Sequence, residues 1–259
     1  MKQFRLLTLL ALLMTAATGA WAQTSDKETP LTLQATADGE IRIYDPKDGM
    51  KYKVGDGEKQ TITGTDYVTI DVNEGQTVQF FGNGTEITVY GDEQGDNYTH
   101  FGSDVKCYIY GNIMSLVDET GFAKATELTG DYAFQSLFSG FSNLSNHPSR
   151  KLVLPATTLT KRCYSDMFTS CTGLTTAPAL PAQKLAQQCY NWMFYGCTNL
   201  NAVTCLATDI SAEYATFNWL EGVAATGTLT IAKGMEDKWA EIIHTIRGIP
   251  SGWTTDVYG

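Results

Sequence analysis

Histidine is scarce in this chain: His100, His147 and His244 are the only three in 259 residues, each in a different segment, none at a metal-ligand or nucleophile spacing from another reactive group. There is no GxSxG elbow, no HExxH pair and no Walker loop, and GDGEKQ at 55–60 lacks the third glycine and the strand-to-helix setting of a nucleotide site. Enzymatic activity and a bound cofactor are therefore not expected, although paired carboxylates for glycoside hydrolysis and a Cys–His pair stay open to this composition. Basic residues are in deficit too. Eighteen Lys and Arg stand against 28 Asp and Glu, a formal charge of −10, and such a field repels phosphate backbones and anionic membrane surfaces. Nucleic acid is a poor partner on that ground.

Long apolar runs are missing everywhere except at the N-terminus. There Lys2 and Arg5 precede the apolar stretch at 6–20, and Ala20-Trp21-Ala22 supplies a small-x-small cleavage signature before Gln23. The stretch is shorter than the roughly 20 residues a membrane span needs, and no Cys follows it to accept a lipid. Residues 1–22 thus read as a secretory signal peptide. Its removal takes Lys2 and Arg5 but no acid, so the formal charge moves from −10 to −12 over the 237 residues left. The expectation is an exported chain without membrane insertion after cleavage, at the cell surface or secreted, with the periplasm as the other destination.

Residues 23–118 alternate polar and apolar side chains in short runs: IRIY at 41–44, YVTIDV at 67–72, TVQFF at 77–81, EITVY at 86–90 and CYIYG at 107–111. Turn pairs punctuate them, namely Asp48-Gly49, Asp56-Gly57, Glu74-Gly75, Asn83-Gly84 and Gly95-Asp96. With no helix to cover a sheet, two sheets must face each other, which predicts a β-sandwich-like module.

Residues 119–259 repeat. Cys163, Tyr164, Met167, Phe168, Cys171, Thr172 and Leu174 recur 26 residues later as Cys189, Tyr190, Met193, Phe194, Cys197, Thr198 and Leu200. Weaker copies flank them. Leu137, Phe138, Leu144 and Pro148 precede their counterparts by 30 residues, which puts four extra residues near Ser149, Arg150, Lys151 and Leu152, while Trp219 and Leu220 follow Met193 and Phe194 by 26. Such a period signals stacked units, each unable to bury its apolar face alone. Cys163, Met167 and Cys171 at i, i+4 and i+8, with Tyr164 and Phe168 beside them, predict a short helix per unit, ended by Gly173 or Asn199. Pro178 and Pro181 then force an extended segment. Met235, Trp239, Ile242, Ile243 and Ile246 predict a C-terminal capping helix over 234–247, stopped by Gly248 and Pro250. The fold class expected is α+β: an all-β sandwich-like module, a short leucine-rich-repeat solenoid and a helical cap.

The CY..MF.GCT.L..AP.LPA..L pattern resembles the BspA-like leucine-rich repeats of surface and secreted proteins from Bacteroidetes, and 107–116 and 248–254 are similar to segments flanking their repeats. NAVTCLAT at 201–208 departs from the pattern by lacking both prolines. The resemblance implies an exported binding protein, some members of the family being associated with adhesion to host proteins or other bacteria.

Six cysteines in an exported chain invite disulfides, yet Cys163 and Cys171 lie two turns apart and all the repeat cysteines fall at core positions. Buried thiols acting as small hydrophobes are expected, with Cys163–Cys189 or Cys171–Cys197 bridges as the alternative. No CxxC is present to suggest zinc. Asp92, Glu93, Asp96 and Asn97 form an oxygen-rich cluster that fits a solvated hairpin tip better than a calcium loop. The repeat core is expected to comprise Cys163, Met167, Phe168, Cys171, Leu174, Cys189, Met193, Phe194, Cys197 and Leu200. Binding is expected at Thr175, Thr176 and Ala177 of the extended segment, at Trp192 and Tyr195 outside the apolar set, and at Tyr98. The partner is then a protein of a host or bacterial surface, or a glycan held by the β module with the repeats as spacer.

Overall fold

The computed structural model describes residues 26–64, 67–82, 90–93, 98–242 and 248–259. The signal-peptide reading, the strand pattern at 86–89, the turn pairs Asn83-Gly84 and Gly95-Asp96, and His244, Ile243 and Ile246 lie outside those residues.

Among the described residues eight strands build the N-terminal part: β1 (Thr32–Ala35), β2 (Gly39–Tyr44), β3 (Lys51–Val54), β4 (Lys59–Thr61), β5 (Tyr67–Val72), β6 (Thr77–Phe81), β7 (His100–Ser103) and β8 (Cys107–Asn112). They divide into a larger sheet, in which β8, β1, β6, β3 and β4 lie side by side, and a smaller one ordered β5-β2-β7. Leu33, Val78 and Phe80 of the first and Ile41, Ile43, Ile70 and Phe101 of the second belong to one buried core, where the rings of Phe80 and Phe101 meet edge to face at 4.8 Å. That is a sandwich, and alternation produces it: one phase of each strand faces in, the other out.

The larger sheet does not stop at residue 118. Strands β9 (Leu144–Asn146) and β10 (Leu152–Val153) both pair in parallel with β8, the first along Cys107–Ile109 and the second at Gly111 and Asn112. The four extra residues of the first repeat sit between these two strands and clamp the junction. Arg150 Nε and the Lys151 amide both donate to the Asp26 carboxylate at 2.8 Å, Arg150 Nη2 donates to Thr29 Oγ1 at 2.7 Å, and the guanidinium lies 4.0 Å over the Tyr110 ring. Asp26 is buried, and this pairing supplies its counter-charge.

The repeat segments correct the expected fold class. They contain no α-helix: residues 131–140, 161–170, 187–196 and 213–222 are runs of consecutive turns. Within each run every second amide donates three residues back, as in Ser165 to Arg162, Met167 to Tyr164 and Thr169 to Asp166. The intervening amides donate to the following unit: Tyr164 to Cys189 O, Asp166 to Asn191 O, Phe168 to Met193 O and Ser170 to Tyr195 O. This alternation requires left-handed backbone at every fourth residue, and φ is positive at Arg162, Asp166 and Ser170, at Gln188, Trp192 and Gly196, and at Tyr214, Asn218 and Gly222. A period of four, not 3.6, is what aligned Cys163, Met167 and Cys171. Gly173 and Asn199 are not among the left-handed positions; Gly173 instead approaches the backbone of the preceding unit too closely for any side chain, a Cβ there colliding with Leu144 O.

The expected leucine-rich-repeat solenoid with a helical cap is therefore not the fold. Strands dominate, in three separate sheets, and none closes a coil. Helix in the C-terminal part is confined, among the described residues, to the five-residue Glu236–Ala240. The far end is finished by a third sheet of parallel strands, β11 (Ala202–Cys205), β12 (Gly227–Ala232) and β13 (Trp253–Tyr258), with Ala202 beside Thr228 and Thr228 beside Thr254. The proline segment joins it only through single parallel bridges, Thr176 to Ala202 and Leu180 to Cys205.

Two columns of rings run through the core and fuse the parts. Tyr90, Phe134, Tyr164, Tyr190, Trp219 and Trp239 stack at centroid separations of 6.0, 5.7, 6.2, 6.4 and 5.7 Å. Phe101, Phe138, Phe168 and Phe194 form the second column at 5.5, 5.5 and 5.6 Å. All ten residues expected as the repeat core are buried. Replacing Phe168, in mid-column, by Ala is expected to lower the unfolding free energy by about 3–5 kcal/mol in urea titrations. Arg150→Met is expected to cost about 3 kcal/mol by the same measurement, because it strands the Asp26 carboxylate.

Candidate binding surfaces

The outward face of the small sheet is built from the polar phase of three strands. On β2 the inward residues are Ile41 and Ile43, which leaves Glu40, Arg42 and Tyr44 outside; β5 presents Tyr67, Thr69 and Asp71, and β7 presents His100 and Gly102. Register then decides what meets what. Tyr44 pairs with Tyr67 on one side and His100 on the other, and Arg42 lies between Thr69 and Gly102. Three rings therefore cross the sheet in a row, and Tyr98, two residues before His100, adds a fourth beside its end. Tyr44 and His100 stack at 4.4 Å with planes 8° apart, Tyr67 flanks Tyr44 at 5.3 Å and 52°, and Tyr98 flanks His100 at 5.4 Å and 50°. The central pair is a ridge and the outer two rings lean against it. Tyr67 is 50% exposed. Gly102 is matched to the row, since a Cβ there would come 3.2 Å from the Tyr44 ring.

Charged groups border the rings. The Arg42 guanidinium donates to Glu40 at 2.7 Å and lies 3.5 Å from Asp104; its hydrogen bond to Glu40 holds its pKa above the usual value. Asp45, in left-handed backbone just after Tyr44, accepts a 2.6 Å bond from Thr99 Oγ1, which ties the end of β2 to the start of β7. Burial pushes the His100 pKa down, and His147, whose ring edges onto Tyr108 and Tyr110 at 5.4 and 5.1 Å, is lowered by burial and then by Arg150.

The second aromatic surface is on the turn side of the repeats. Trp192 and Tyr195 are half-buried and meet at 4.5 Å; Tyr214, 39% exposed, and Phe217 meet at 5.6 Å one unit further on. A backbone bond from the Trp192 amide to Phe217 O joins the two pairs. Thr175, Thr176 and Ala177 belong to the strand side. Thr175 and Thr176 are exposed, but the amides of both donate to Asn146 Oδ1 at 2.8 and 3.1 Å, and Ala177 is half-buried with its amide on Ala202 O. The structure thus brings together Trp192 with Tyr195, sends Tyr98 to His100, and separates Thr175–Ala177 from both.

The cysteines are all free thiols and all buried. Cys171 and Cys197 donate to carbonyls of the preceding unit, Phe138 O at 3.0 Å and Phe168 O at 2.9 Å. Burial pushes Cys107 up to about 11 and Cys163, Cys197 and Cys205 up to about 12, and raises Cys171 and Cys189 as well. Thiols in that state carry almost no thiolate at neutral pH. Among the described residues no group of three or more His, Cys, Asp or Glu is placed to hold a metal ion, and no helix is long and apolar enough to cross a membrane. Asp96 and Asn97 of the oxygen-rich cluster lie outside the described residues. No protein-family model matches the chain, and no curated protein or solved structure matches it.

Alternation in IRIY and YVTIDV places Tyr44 and Tyr67 in the outward phase, but which rings share a row is a matter of strand register, which no local pattern carries. Because folding lowers the pKa of His100 and His147, the unfolded chain binds more protons just below its ordinary value near 6.5. Their contribution to stability is present above that value and is lost as pH falls from it through the folded pKa. The melting temperature is expected to drop between about pH 7.5 and pH 5.5, and the drop to shrink when both residues are replaced by Asn.

Proposed function

We propose that this chain is an exported carbohydrate-recognition protein that acts by binding and not by catalysis, with the row Tyr67, Tyr44, His100 and Tyr98 as its contact surface. The observation that carries the reading is the row itself: three rings on an outward sheet face with Tyr98 beside them, bordered by Arg42, Glu40, Thr69 and Asp104. The C–H faces of a pyranose pack against tyrosine rings, while its hydroxyls need the donors and acceptors such a border supplies. Rings on a solvent-facing sheet surface also stabilise the sheet by cross-strand pairing, but half of Tyr67 is left to solvent, where pairing alone has no use for it. Export is supported by Lys2, Arg5, the apolar stretch after them and Ala20-Trp21-Ala22, and by the resemblance of 163–200 to repeats of Bacteroidetes surface and secreted proteins. Recognition of a host or bacterial protein through the repeats is the second reading, favoured by the surface pairs Trp192–Tyr195 and Tyr214–Phe217, of which Tyr214 is exposed and the other three are half-buried.

A glycan array probed with residues 23–259 tests this. The expected result is a defined set of hits whose affinity falls at least about tenfold in Tyr67→Ala and in Tyr98→Ala, a loss of about 1.4 kcal/mol each, and is unchanged in Trp192→Ala. An array without hits, or hits indifferent to Tyr67 and Tyr98, contradicts the reading.

A further inference from the structure

Charge is not spread evenly over the turn side of the repeats. Residues 26 apart lie over one another there, as the bonds Arg162 Nε to Gln188 Oε1 and Gln187 Nε2 to Glu213 Oε2 show. Reading down the first such column gives Lys161, Gln187, Glu213: cation, neutral, anion. The next gives Arg162, Gln188, Tyr214, and a third gives Thr169, Tyr195, Glu221. The middle segment, 187–196, carries Trp192 and Tyr195 and no charge at all. The turn segments on either side are opposite in balance: 161–170 holds Lys161 and Arg162 against Asp166, whereas 213–222 holds Glu213 and Glu221 and no basic residue.

We infer that this face binds a second copy of the same chain, through an isologous contact whose twofold axis runs along the 187–196 segment. Rotation about that axis keeps position along the segment and reverses the order of units. Lys161 then faces Glu213 of the second copy, Arg162 faces Tyr214, and Thr169 faces Glu221, each contact occurring twice. The first is an ion pair, the second sets a guanidinium against an aromatic ring, and the third offers a hydroxyl to a carboxylate. Trp192 and Tyr195 sit on the axis and meet their own counterparts, so the uncharged aromatic centre is ringed by complementary charge, the layout of a contact core and its rim. Asp166 falls opposite Asn218 in the same way, so none of these pairs sets like charges together. Lys161 currently reaches Glu93 at 3.3 Å, but Glu93 is 71% exposed, and an ion pair of that kind is readily exchanged. A face occupied in this way is closed to a foreign protein, so the pairing competes with recognition through the repeats. It is independent of the glycan reading, to which it adds a second row of rings and hence avidity.

Charge reversal tests the inference with its own control. Residues 23–259 are run by sedimentation velocity over a concentration series in low salt, as wild type, as Lys161→Glu with Arg162→Glu, as Glu213→Lys with Glu221→Lys, and as an equimolar mixture of the two variants, one bearing a mass tag. A wild-type dimer is expected that weakens at least about tenfold when salt is raised to about 1 M, where charges are screened within about 3 Å. Each variant alone is expected to be monomeric, since Lys161→Glu sets a carboxylate against Glu213 and Glu213→Lys sets an ammonium against Lys161, and the mixture to form a one-to-one heterodimer. Recovery in the mixture also shows that both variants are folded. A monomeric wild type, variants that still dimerise, or a mixture that stays monomeric overturns the inference.

Discussion

Register between successive units is the constraint on which the rest of the structure depends. Each turn segment commits half of its amides to its own turns and half to the neighbouring unit, and both sets are satisfied only if the chain returns one unit later at the same height. A buried amide without a partner costs about 1–3 kcal/mol, so a slip of one residue would forfeit several at once. The same register sets ring over ring in both aromatic columns, and brings Cys171 and Cys197 under the carbonyls they donate to. Backbone and side-chain terms thus reinforce one solution, which is the condition for a unique fold.

Register is also what couples the two halves. Strand β8 is the last strand of the sandwich and the template for β9 and β10, so the stack grows from the edge of the larger sheet and does not hang from a linker. The extra residues around Arg150 exist at that junction and nowhere else in the repeats, and they deliver the guanidinium that neutralises Asp26. Phe101 lies in the sandwich and heads the column that continues through Phe138 to Phe194. The outward row on β5-β2-β7 is consequently mounted on a rigid body, and a binding surface gains from such support because little order has to be imposed when a ligand arrives.

Much of this was legible in the residues. The period of 26, the buried identity of Cys163, Met167, Phe168 and their copies, and the strands at 41–44, 67–72, 77–81 and 107–111 follow from pattern alone, whereas β1, β3, β4 and β7 lie outside the alternating runs. The helical reading of 163–171 failed for a definable reason: i, i+4, i+8 spacing fits a helix of 3.6 residues per turn over so short a span, and equally fits turns of four. The discriminating signal lay at the left-handed positions, where Gly140, Gly196 and Gly222 mark the third place of their runs, but Arg162, Gln188, Trp192 and Tyr214 fill other such places and hide it. Those residues seldom adopt positive φ, and here the ladder bonds on both sides impose it. The row of rings was hidden differently, because Tyr44, Tyr67 and His100 are far apart in sequence and only sheet register unites them.

Scalar couplings across hydrogen bonds, measured by NMR on isotope-labelled residues 23–259, test the central claim most directly. The account predicts couplings from the Phe168 amide to the Met193 carbonyl and from the Trp192 amide to the Phe217 carbonyl, one unit apart. Couplings from these amides to carbonyls four residues back would mean that the repeats are helices after all, and would contradict it.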